Sequence, residues 1–289
     1  MESKPQIGII GGSGVYKIPG LVEVERLELK TPFGKPSAPL VVGSLDGSLV
    51  VFLARHGPGH ILSPTEVNYR ANIYALKSLG VERILSVTAC GSLREDFRPG
   101  DMVIPDQLVD LTKNRSRTFF ENGLVAHVSV AEPFCPAFSA AVHDAVSATG
   151  APTHLGGTFV TIEGPRFSTR AESNIFRSWG ISIIGMTASP EAFLAREAEM
   201  CYAAMAHVTD YDVWHISEEP VTADMVFKTI SASANVAQEA IRNLVTAGEI
   251  EMECECHTAL ASALTTHHEA IEPLAVERLS LLVGKYIHP

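Results

Sequence analysis

Two carboxylates, Asp210 and Asp212, stand close together just after an apolar run over residues 201–208. If the chain is extended there, side chains at positions i and i+2 point to the same side and the pair faces one ligand. A carboxyl group enclosed in a pocket can have its pKa raised and then act as a proton donor. Two alternatives stay open: a divalent metal ion bound through oxygen, and a solvated turn in which an aspartate caps a helix.

Several other segments carry groups suited to an anion. Arg55 and His56 follow an apolar run, where an arginine can grip phosphate with two hydrogen bonds and a histidine can add a second donor. Ser13 lies in a glycine-rich turn, and Thr88 and Thr187 follow two further apolar runs. Taken together, they predict a bound phosphate or phosphate-like anion that needs no metal. Taken singly, each also fits a tight turn or a surface position.

The segment EGPRFS over residues 163–168 stands between a predicted strand and a predicted helix. Phe167 could stack on a planar ligand, and Ser168 could contact the ligand or cap the helix. Serine is a preferred residue before the first turn of a helix, so capping is the favoured interpretation. The glycine-rich turn itself fits neither nucleotide fingerprint, since Lys17 stands where G-x-G-x-x-G needs its last glycine.

Strand-like and helix-like segments must position these residues, and they alternate along the chain. Buried strands are predicted over residues 6–10, 40–43, 49–54, 83–87, 157–162, 181–186 and 201–208. Helices are predicted over residues 65–79, 136–148, 168–179, 190–199, 222–247 and 256–264. This alternation predicts an α/β fold, a single domain whose mixed sheet is flanked by helices, with ligands bound beyond the strand ends.

Composition narrows the class of protein. The 289 residues include 33 acidic and 22 basic side chains, a net charge of -11, which argues against a nucleic-acid binder. No apolar run approaches the roughly 20 residues of a membrane span, and the first residues lack a secretory pattern. Five cysteines do not make a disulfide framework in a chain of this length. We therefore expect no nucleic-acid or membrane partner and a cytoplasmic location.

Cys254 and Cys256, with histidines further along, raise the question of zinc. Structural zinc sites usually leave two to four residues between paired cysteines, so a single intervening residue makes zinc the weakest interpretation. A redox-active or disulfide-forming pair is next, and inert surface thiols are favoured. Cys135 and Cys201 could pair with each other or pack as small hydrophobic side chains.

These motifs, in this order, resemble the 5′-methylthioadenosine phosphorylases of the trimeric purine nucleoside phosphorylase superfamily. The resemblance spans roughly residues 6–230 and weakens after about residue 245. The matching segments are IGIIGGSG (7–14), TPFGKP (31–36), LARHG (53–57), VNYRAN (67–72), TACGSLR (88–94), AEPFCP (131–136), TIEGPRFS (161–168), MT (186–187), PE (190–191) and TDYD (209–212).

The resemblance implies a nucleoside-phosphorylase-like fold over residues 1–289, with a helical extension from about residue 245. It implies that phosphate attacks C1′ of a purine nucleoside and releases the base. For S-methyl-5′-thioadenosine the products are adenine and 5-methylthioribose 1-phosphate, and 5′-deoxyadenosine is a further candidate substrate. It also implies a homotrimer and no cofactor, because inorganic phosphate is a co-substrate.

The resemblance assigns site residues as well. Asp210 and Asp212 would read adenine, with Asp210 placed to protonate or hydrogen-bond N7, and Met186 would pack beside the ribose. Phe167 and Ser168 also belong to the implied substrate site. The implied phosphate ligands are Ser13, Arg55, His56, Thr88, Ala89 and Thr187.

Near the 5′ group the resemblance implies two histidines, His60 and His127. It also implies an apolar wall formed by Ala223, Val226 and Phe227. An apolar wall accepts a methylthio group and disfavours a 5′-hydroxyl only modestly. The loop over residues 115–127 is long and polar, which suits a segment that carries His127 to a neighbouring subunit. The alternative is a solvated surface excursion.

An ionised Asp212 accepts from the N6 amino group of adenine and repels the carbonyl oxygen of a 6-oxopurine, so 6-aminopurines are favoured. Three alternatives remain open. One is a 6-oxopurine nucleoside or methylthioinosine phosphorylase, and another is a nucleosidase that uses water instead of phosphate. The last is a purine nucleoside sensor without catalysis, which would have no need of a general acid.

Overall fold

The computed structural model describes residues 5–12, 18–215, 222, 224, 226, 228–229, 234–248 and 253–287. Its strands form an 11-stranded mixed sheet, which confirms the predicted fold class. The strands are β1 (Ile7–Gly11), β2 (Val22–Leu27), β3 (Leu40–Leu45), β4 (Ser48–Ala54), β5 (Arg83–Ser92), β6 (Met102–Ile104), β7 (Gln107–Asp110), β8 (Thr153–Leu155), β9 (Thr158–Thr161), β10 (Ile183–Gly185) and β11 (Cys201–Asp210).

The helices are α1 (Tyr69–Ser78), α2 (Pro136–Ser147), α3 (Arg170–Ser178), α4 (Ala188–Glu197), α5 (Ala234–Thr246) and α6 (Pro273–Val283). The main strand order is β2-β3-β4-β1-β5-β10-β9-β7, and β11 pairs with both β5 and β6. The neighbours β4, β1, β5 and β11 all run parallel, so their carboxyl ends meet at one edge of the sheet.

Helices cover both faces of this sheet. Ile9 and Ile10 of β1 point to opposite sides, as successive strand residues must. Ile10 packs in a core with Ile73 of α1, whereas Ile9 packs in a second core with Phe138 of α2 and Ile241 of α5. The C-terminal segment joins the first of these cores through residues that include Leu260, Leu279 and Val283.

Local sequence decides where the site-bearing helices begin. The side chain of Asn68 accepts from the backbone N–H of Ala71, so α1 starts at Tyr69 rather than at the predicted residue 65. Helix α3 starts after Thr169, which forms a capping box with Glu172. Both caps fix the angle at which the preceding loop enters its helix.

The sequence predictions missed four strands and one helix, namely β2, β6, β7, β8 and α6. Strand β2 is an exposed edge strand with charged residues, and the other three are only three or four residues long. The predicted helix over 256–264 was wrong, since only a 3₁₀ turn at Cys256–Thr258 forms. Of the helix predicted over 222–247, residues 224, 226, 228, 229 and 234–246 are helical. Residues 222 and 247 are described but not helical, and the others lie outside the described residues.

Strand β5 is longer than predicted and runs to Ser92, so the TACGS segment belongs to the strand instead of to a loop after it. A helix that could cross a bilayer, which would need about 20 apolar residues in succession, does not occur in the part of the chain that the structure describes.

Candidate functional site

The strand ends bring most of the predicted residues to one edge of the sheet. Gly11 at the end of β1 pairs with Ala54 at the end of β4, directly before Arg55. Asp210 of β11 pairs with Gly91 of β5, five residues beyond the Ser86 that pairs with Ile10 of β1. The anion-binding candidates and the acidic pair therefore share the edge at which α/β proteins bind ligands.

A bulge at the end of β11 sets the position of the acidic pair. Val208 pairs with Cys90 and Asp210 pairs with Gly91, so Thr209 is an extra residue in β11. Asp210 Oδ2 accepts from the Thr209 hydroxyl at 2.6 Å, and Asp210 Oδ1 accepts from the backbone N–H of Asp212 at 2.8 Å.

The extended geometry assumed from sequence was wrong, because β11 ends at Asp210 and Asp212 has a left-handed φ of 50°. A turn held by the Asp210 side chain brings the two carboxylates together instead. Gly91 makes room for them: a Cβ atom there would lie 3.0 Å from Asp210 Oδ1 and 3.3 Å from the Cβ of Asp212.

Burial gives both carboxyl groups a raised pKa. For Asp210 the burial is opposed by the hydrogen bonds from Thr209 and Asp212 and reinforced by the nearby charge of Asp212. For Asp212 the pKa is raised by burial, while the neighbouring hydroxyls of Ser173 and Ser168 act in the opposite sense. The pair can therefore hold a proton more readily than two solvated aspartates would.

Asp212 Oδ2 and the neighbouring Ser168 Oγ and Ser173 Oγ are buried, and although the two hydroxyls lie near enough to Asp212 to affect its pKa, none of the three atoms forms a hydrogen bond of normal geometry among the described residues. The capping role favoured for Ser168 was wrong, because Thr169 caps α3. Buried polar atoms that lack partners are uncommon in folded proteins. Their clustering beside Asp212 indicates a place for the polar edge of a ligand.

Arg55 is buried beneath the anion-binding candidates. Its Nε and Nη2 atoms donate to the Glu191 carboxylate at 2.9 and 3.0 Å, and Nη2 also reaches Ser86 Oγ at 2.7 Å. Its Nη1 atom donates to the carbonyl oxygen of Val87 at 3.1 Å. Most of the guanidinium is thus committed to the protein, and the second hydrogen on Nη1 is the one that these bonds leave for an anion.

Glu191, which holds Arg55, was missed by the sequence predictions as a site residue. It is 0% exposed and accepts a further hydrogen bond from the Tyr202 hydroxyl at 2.9 Å. The signal lay in the PE motif at 190–191, where a carboxylate follows a proline inside an apolar helix.

The two predicted threonines meet. Thr88 in β5 and Thr187, immediately before α4, lie with their hydroxyl oxygens 3.1 Å apart. Ala89 follows Thr88 in the strand and is half-buried. Arg55 bonds the carbonyl of residue 87, which directly precedes Thr88 in the strand. Ser13 lies outside the described residues.

His56 differs from its prediction as a second donor. Its Nδ1 atom lies 2.9 Å from the carbonyl oxygen of Leu62, which can only accept, so Nδ1 carries the hydrogen. Burial and the charge of Arg55 lower the pKa of His56 to about 4. At neutral pH the ring is uncharged and Nε2 is an acceptor. His60 stacks on this ring with centroids 4.3 Å apart.

A second buried arginine, Arg115, organises the loops around Met186. It donates to the carbonyl oxygens of Met186, Ser189 and Glu163, each at 2.7 Å. Gly164 packs so tightly on Met186 that a Cβ atom there would lie 2.6 Å from the sulfur. No motif in the sequence pointed to this positioning role of Arg115.

Glu163 completes the same arrangement. Burial opposes its charge, but hydrogen bonds from Thr65, from the backbone of Lys113 and Asn114, and the charge of Arg115 lower its pKa to about 2. The carboxylate therefore stays ionised and ties three loops together. The start of the 115–127 loop is thus built into the protein, and its residues Phe119 and Phe120 are buried in the core.

The residues predicted near the 5′ group are placed less completely. His127 is exposed, and its backbone N–H donates to the carbonyl of Ala263 at 2.8 Å. Phe167, predicted to stack on a planar ligand and not to line the 5′ group, is 38% exposed. Val226 is helical and half-buried, whereas Ala223 and Phe227 lie outside the described residues.

The chain is similar to known proteins over nearly its whole length. The model of the phosphorylase superfamily matches residues 6–247. The S-methyl-5′-thioadenosine phosphorylase of Geobacter sulfurreducens is 52% identical over 282 residues, which cover 97% of this chain and 99% of that protein. The enzyme of the same name from Thermofilum pendens is 49% identical and covers 90% of this chain and 99% of its own length.

Solved structures of methylthioadenosine phosphorylases are also similar to this chain. A methylthioadenosine phosphorylase from an antarctic soil metagenomic library superimposes with a TM-score of 0.92 at 48% identity, covering 96% of this chain and 99% of that one. The Schistosoma mansoni methylthioadenosine phosphorylase, solved with adenine, gives 0.84 at 40% identity and covers 90% and 97%. The chain therefore belongs to the phosphorylase superfamily, in its methylthioadenosine phosphorylase family.

Proposed function

We propose that this protein cleaves S-methyl-5′-thioadenosine with phosphate, giving adenine and 5-methylthioribose 1-phosphate. One observation carries the proposal: a buried acidic pair with unpartnered polar atoms lies at the same sheet edge as the Thr88–Thr187 hydroxyl pair. A purine and an anion are the two ligands that such an edge suits. The enzyme is then a pentosyltransferase of the purine nucleoside phosphorylase type.

The acidic pair would act on the base. As the glycosidic bond breaks, the ribose gains positive charge and the purine gains negative charge. Asp210, whose pKa is raised by burial, would donate its proton or a hydrogen bond to N7 and so stabilise the leaving base. The unpartnered Asp212 Oδ2 would accept from the N6 amino group, and the Ser168 and Ser173 hydroxyls are free to adjust as donors or acceptors.

The opposite side of the site would hold phosphate, with Thr88, Thr187 and the remaining Nη1 hydrogen of Arg55 as donors. Ala89 and Ser13 belong to the same proposed set. Because His56 is neutral, it would accept a hydrogen bond from a protonated phosphate oxygen instead of donating one. Phosphate held beneath the ribose both stabilises the developing cation and attacks C1′. No metal takes part in this scheme.

We place Met186 beside the ribose, where Arg115 and Gly164 fix it, and His60, Val226, Ala223 and Phe227 around the 5′ group. Phe167 would contact the base or ribose. His127 would come from an adjacent subunit of a homotrimer, which its exposure permits. Exposed apolar residues of the α3 region, Ile175 at 47% and Trp179 at 59%, support burial against another copy.

We also propose that the chain forms one domain over residues 1–289 and works in the cytoplasm. The C-terminal segment supports the first statement because it packs into the same core as α1 and α4. The second rests on composition, since five cysteines in 289 residues are not a secreted disulfide framework.

The test is base release from methylthioadenosine, 5′-deoxyadenosine, adenosine and methylthioinosine, each with and without phosphate. We expect adenine release from methylthioadenosine only when phosphate is present, and it should survive treatment with a chelator. Release without phosphate would identify a nucleosidase, preference for methylthioinosine would identify a 6-oxopurine enzyme, and no turnover at all would favour a sensor.

A further inference from the structure

Four cysteine side chains converge at the end of β11 opposite to Asp210. The Sγ atoms of Cys135, Cys201, Cys254 and Cys256 all lie within 4.8 Å of one another. Cys254 is half-buried and the other three are buried. The favoured interpretation of Cys254 and Cys256 as inert surface thiols was therefore wrong, because both face the other two sulfurs.

This thiol cluster is separate from the proposed active site. Cys201 is the first residue of β11 and Asp210 is the last residue of the same strand. A strand of this length, at about 3.3 Å per residue, places them roughly 30 Å apart. The cluster therefore plays no part in the chemistry proposed above and calls for its own explanation.

The backbone fixes the cluster from three directions. The N–H of Cys135 donates to the carbonyl of Tyr202 at 2.8 Å, which anchors the start of α2 to β11. The N–H of Cys201 donates to the carbonyl of Glu82 at 2.9 Å. Cys256 opens the 3₁₀ turn of the C-terminal segment. The sulfurs thus meet where the sheet, a helix and the C-terminal segment join.

The sulfur geometry suits a tetrahedral metal ion. Zinc bonds thiolate at about 2.3 Å, so the corners of a tetrahedral site are about 3.8 Å apart. The Cys201 and Cys254 sulfurs are 3.5 Å apart, and every other pair is within 4.8 Å. The single residue between Cys254 and Cys256 departs from the usual spacing, but the other two ligands come from distant parts of the chain, so that spacing decides little.

We propose that these four cysteines bind one Zn²⁺ ion in a closed structural site. Binding converts four thiols to thiolates and releases their protons to solvent, with no change of oxidation state. Four thiolates around Zn²⁺ leave no open position for substrate, as is usual for structural zinc. His257 lies beside the cluster, with Nε2 3.6 Å from the Cys201 sulfur and Nδ1 3.2 Å from the carbonyl of Glu199. Because that carbonyl can only accept, Nδ1 carries the hydrogen of a neutral ring, and Nε2 faces the Cys201 sulfur as an acceptor.

The experiment is metal analysis of the full-length protein, purified under reducing conditions and without chelators. We expect about one zinc ion per chain, released when a mercurial reagent titrates the thiols. Cys256→Ser should lose the zinc. The matched control is Cys90→Ser, which removes the remaining cysteine of the chain from a different core and should leave the zinc content unchanged.

If Cys256→Ser fails to fold, Cys254→Ser replaces the half-buried member, and cobalt reconstitution of the wild-type protein gives a second readout. Thiolate ligation of Co²⁺ should produce a strong charge-transfer absorption that zinc displaces. The proposal is overturned if zinc stays far below one per chain after reconstitution, or if the intact mass is lower by the hydrogens of one or two disulfides. Zinc removal should lower the thermal midpoint while phosphate-dependent adenine release at low temperature persists, which separates this proposal from the proposed function.

Discussion

The phosphate side and the base side of the site differ in whether their buried polar groups already have partners within the protein. On the phosphate side, the charged group is buried and all but one of its N–H hydrogens are already engaged, since Arg55 bonds Glu191, Ser86 and two backbone carbonyls. On the base side, Asp212 Oδ2 and two serine hydroxyls are buried without partners. The first side is rigid before any ligand arrives, whereas the second is complete only with a ligand in place. The difference separates residues that hold the site from residues that read the substrate.

The largest expected effect comes from the base side. Asp210→Asn removes the proton donor while keeping an acceptor for the bond from residue 212, so we expect kcat for methylthioadenosine to fall about 10²- to 10⁴-fold. Steady-state kinetics with phosphate in excess measure it. Asp144→Asn, a matched change of an exposed aspartate whose side chain is 84% accessible, should leave kcat unchanged. Equal losses of phosphate and nucleoside affinity with normal kcat would contradict the assigned role.

On the phosphate side, the main expected effect of Glu191→Gln is a lower free energy of unfolding. It leaves the buried Arg55 charge without its counter-ion, and breaking such a pair destabilises by about 3–5 kcal/mol. Chemical denaturation measures the loss, with Glu269→Gln as an exposed control. We also expect a raised KM for phosphate, because Arg55 is no longer held in place. Unchanged stability would mean that Arg55 is solvated in the folded protein.

Asp212→Asn tests whether the unpartnered oxygen reads the base. An amide can donate to the O6 atom of a 6-oxopurine, which a carboxylate cannot do. The ratio of methylthioadenosine to methylthioinosine cleavage should therefore fall by about tenfold to a few hundredfold. A ratio that stays at the wild-type value removes Asp212 from base recognition.

A buried carboxylate outside the site provides a comparison for the acidic pair. Burial raises the pKa of Glu197 to about 7 from 4.5, although it accepts hydrogen bonds from Phe119 and Thr118. Because the folded state disfavours the charged form, its stability contribution is complete below pH 4.5 and is lost as the pH rises through about 7. Glu197→Gln should flatten this dependence by about 1–3 kcal/mol between the two limits. Denaturant midpoints measured across that pH range check it, and a slope equal to that of the wild type contradicts it.

The smallest effect is expected at the 5′ end. His127→Ala should change discrimination among 5′ substituents by only a few fold, about 1 kcal/mol, and leave adenine recognition intact. Rates for methylthioadenosine and adenosine measure it. If the protein is a monomer at assay concentration with full activity, the shared-site arrangement is wrong.

The strand ends could be predicted from sequence because apolar runs followed by glycine, hydroxyl or charged residues are a local signal. Arg55, Thr187 and Asp210 were located in this way, whereas Thr88 lies inside β5 and not after its end. The residues that hold these side chains in place could not be predicted from such a local signal. The Glu191–Arg55 pair joins residues that are 136 apart in the chain, and only the folded sheet brings them together.

Other features depend on a single residue and produce no periodic pattern in the sequence from which they could be predicted. The bulge at Thr209 and the positive φ of Asp212 replaced the extended geometry that alternation suggested. The buried start of the 115–127 loop was hidden because a polar sequence around Arg115 satisfies internal carbonyls instead of water. In both places tertiary hydrogen bonds override the local pattern.

The bulge in β11 also limits how this sequence can change over generations. Every residue of β11 is buried; its side chains over residues 201–205 alternate between two cores, and Ala206 and Val208 pack in a third. Exchange of one apolar side chain for another keeps that alternation, whereas a gain or loss of one residue reverses it for everything beyond. Thr209 is itself such an extra residue. Without it the aspartate would follow Val208 directly in regular pairing with β5, and its carboxylate would point to the other face of the sheet. We therefore expect relatives with the same activity to tolerate apolar substitutions in β11 but not insertions or deletions.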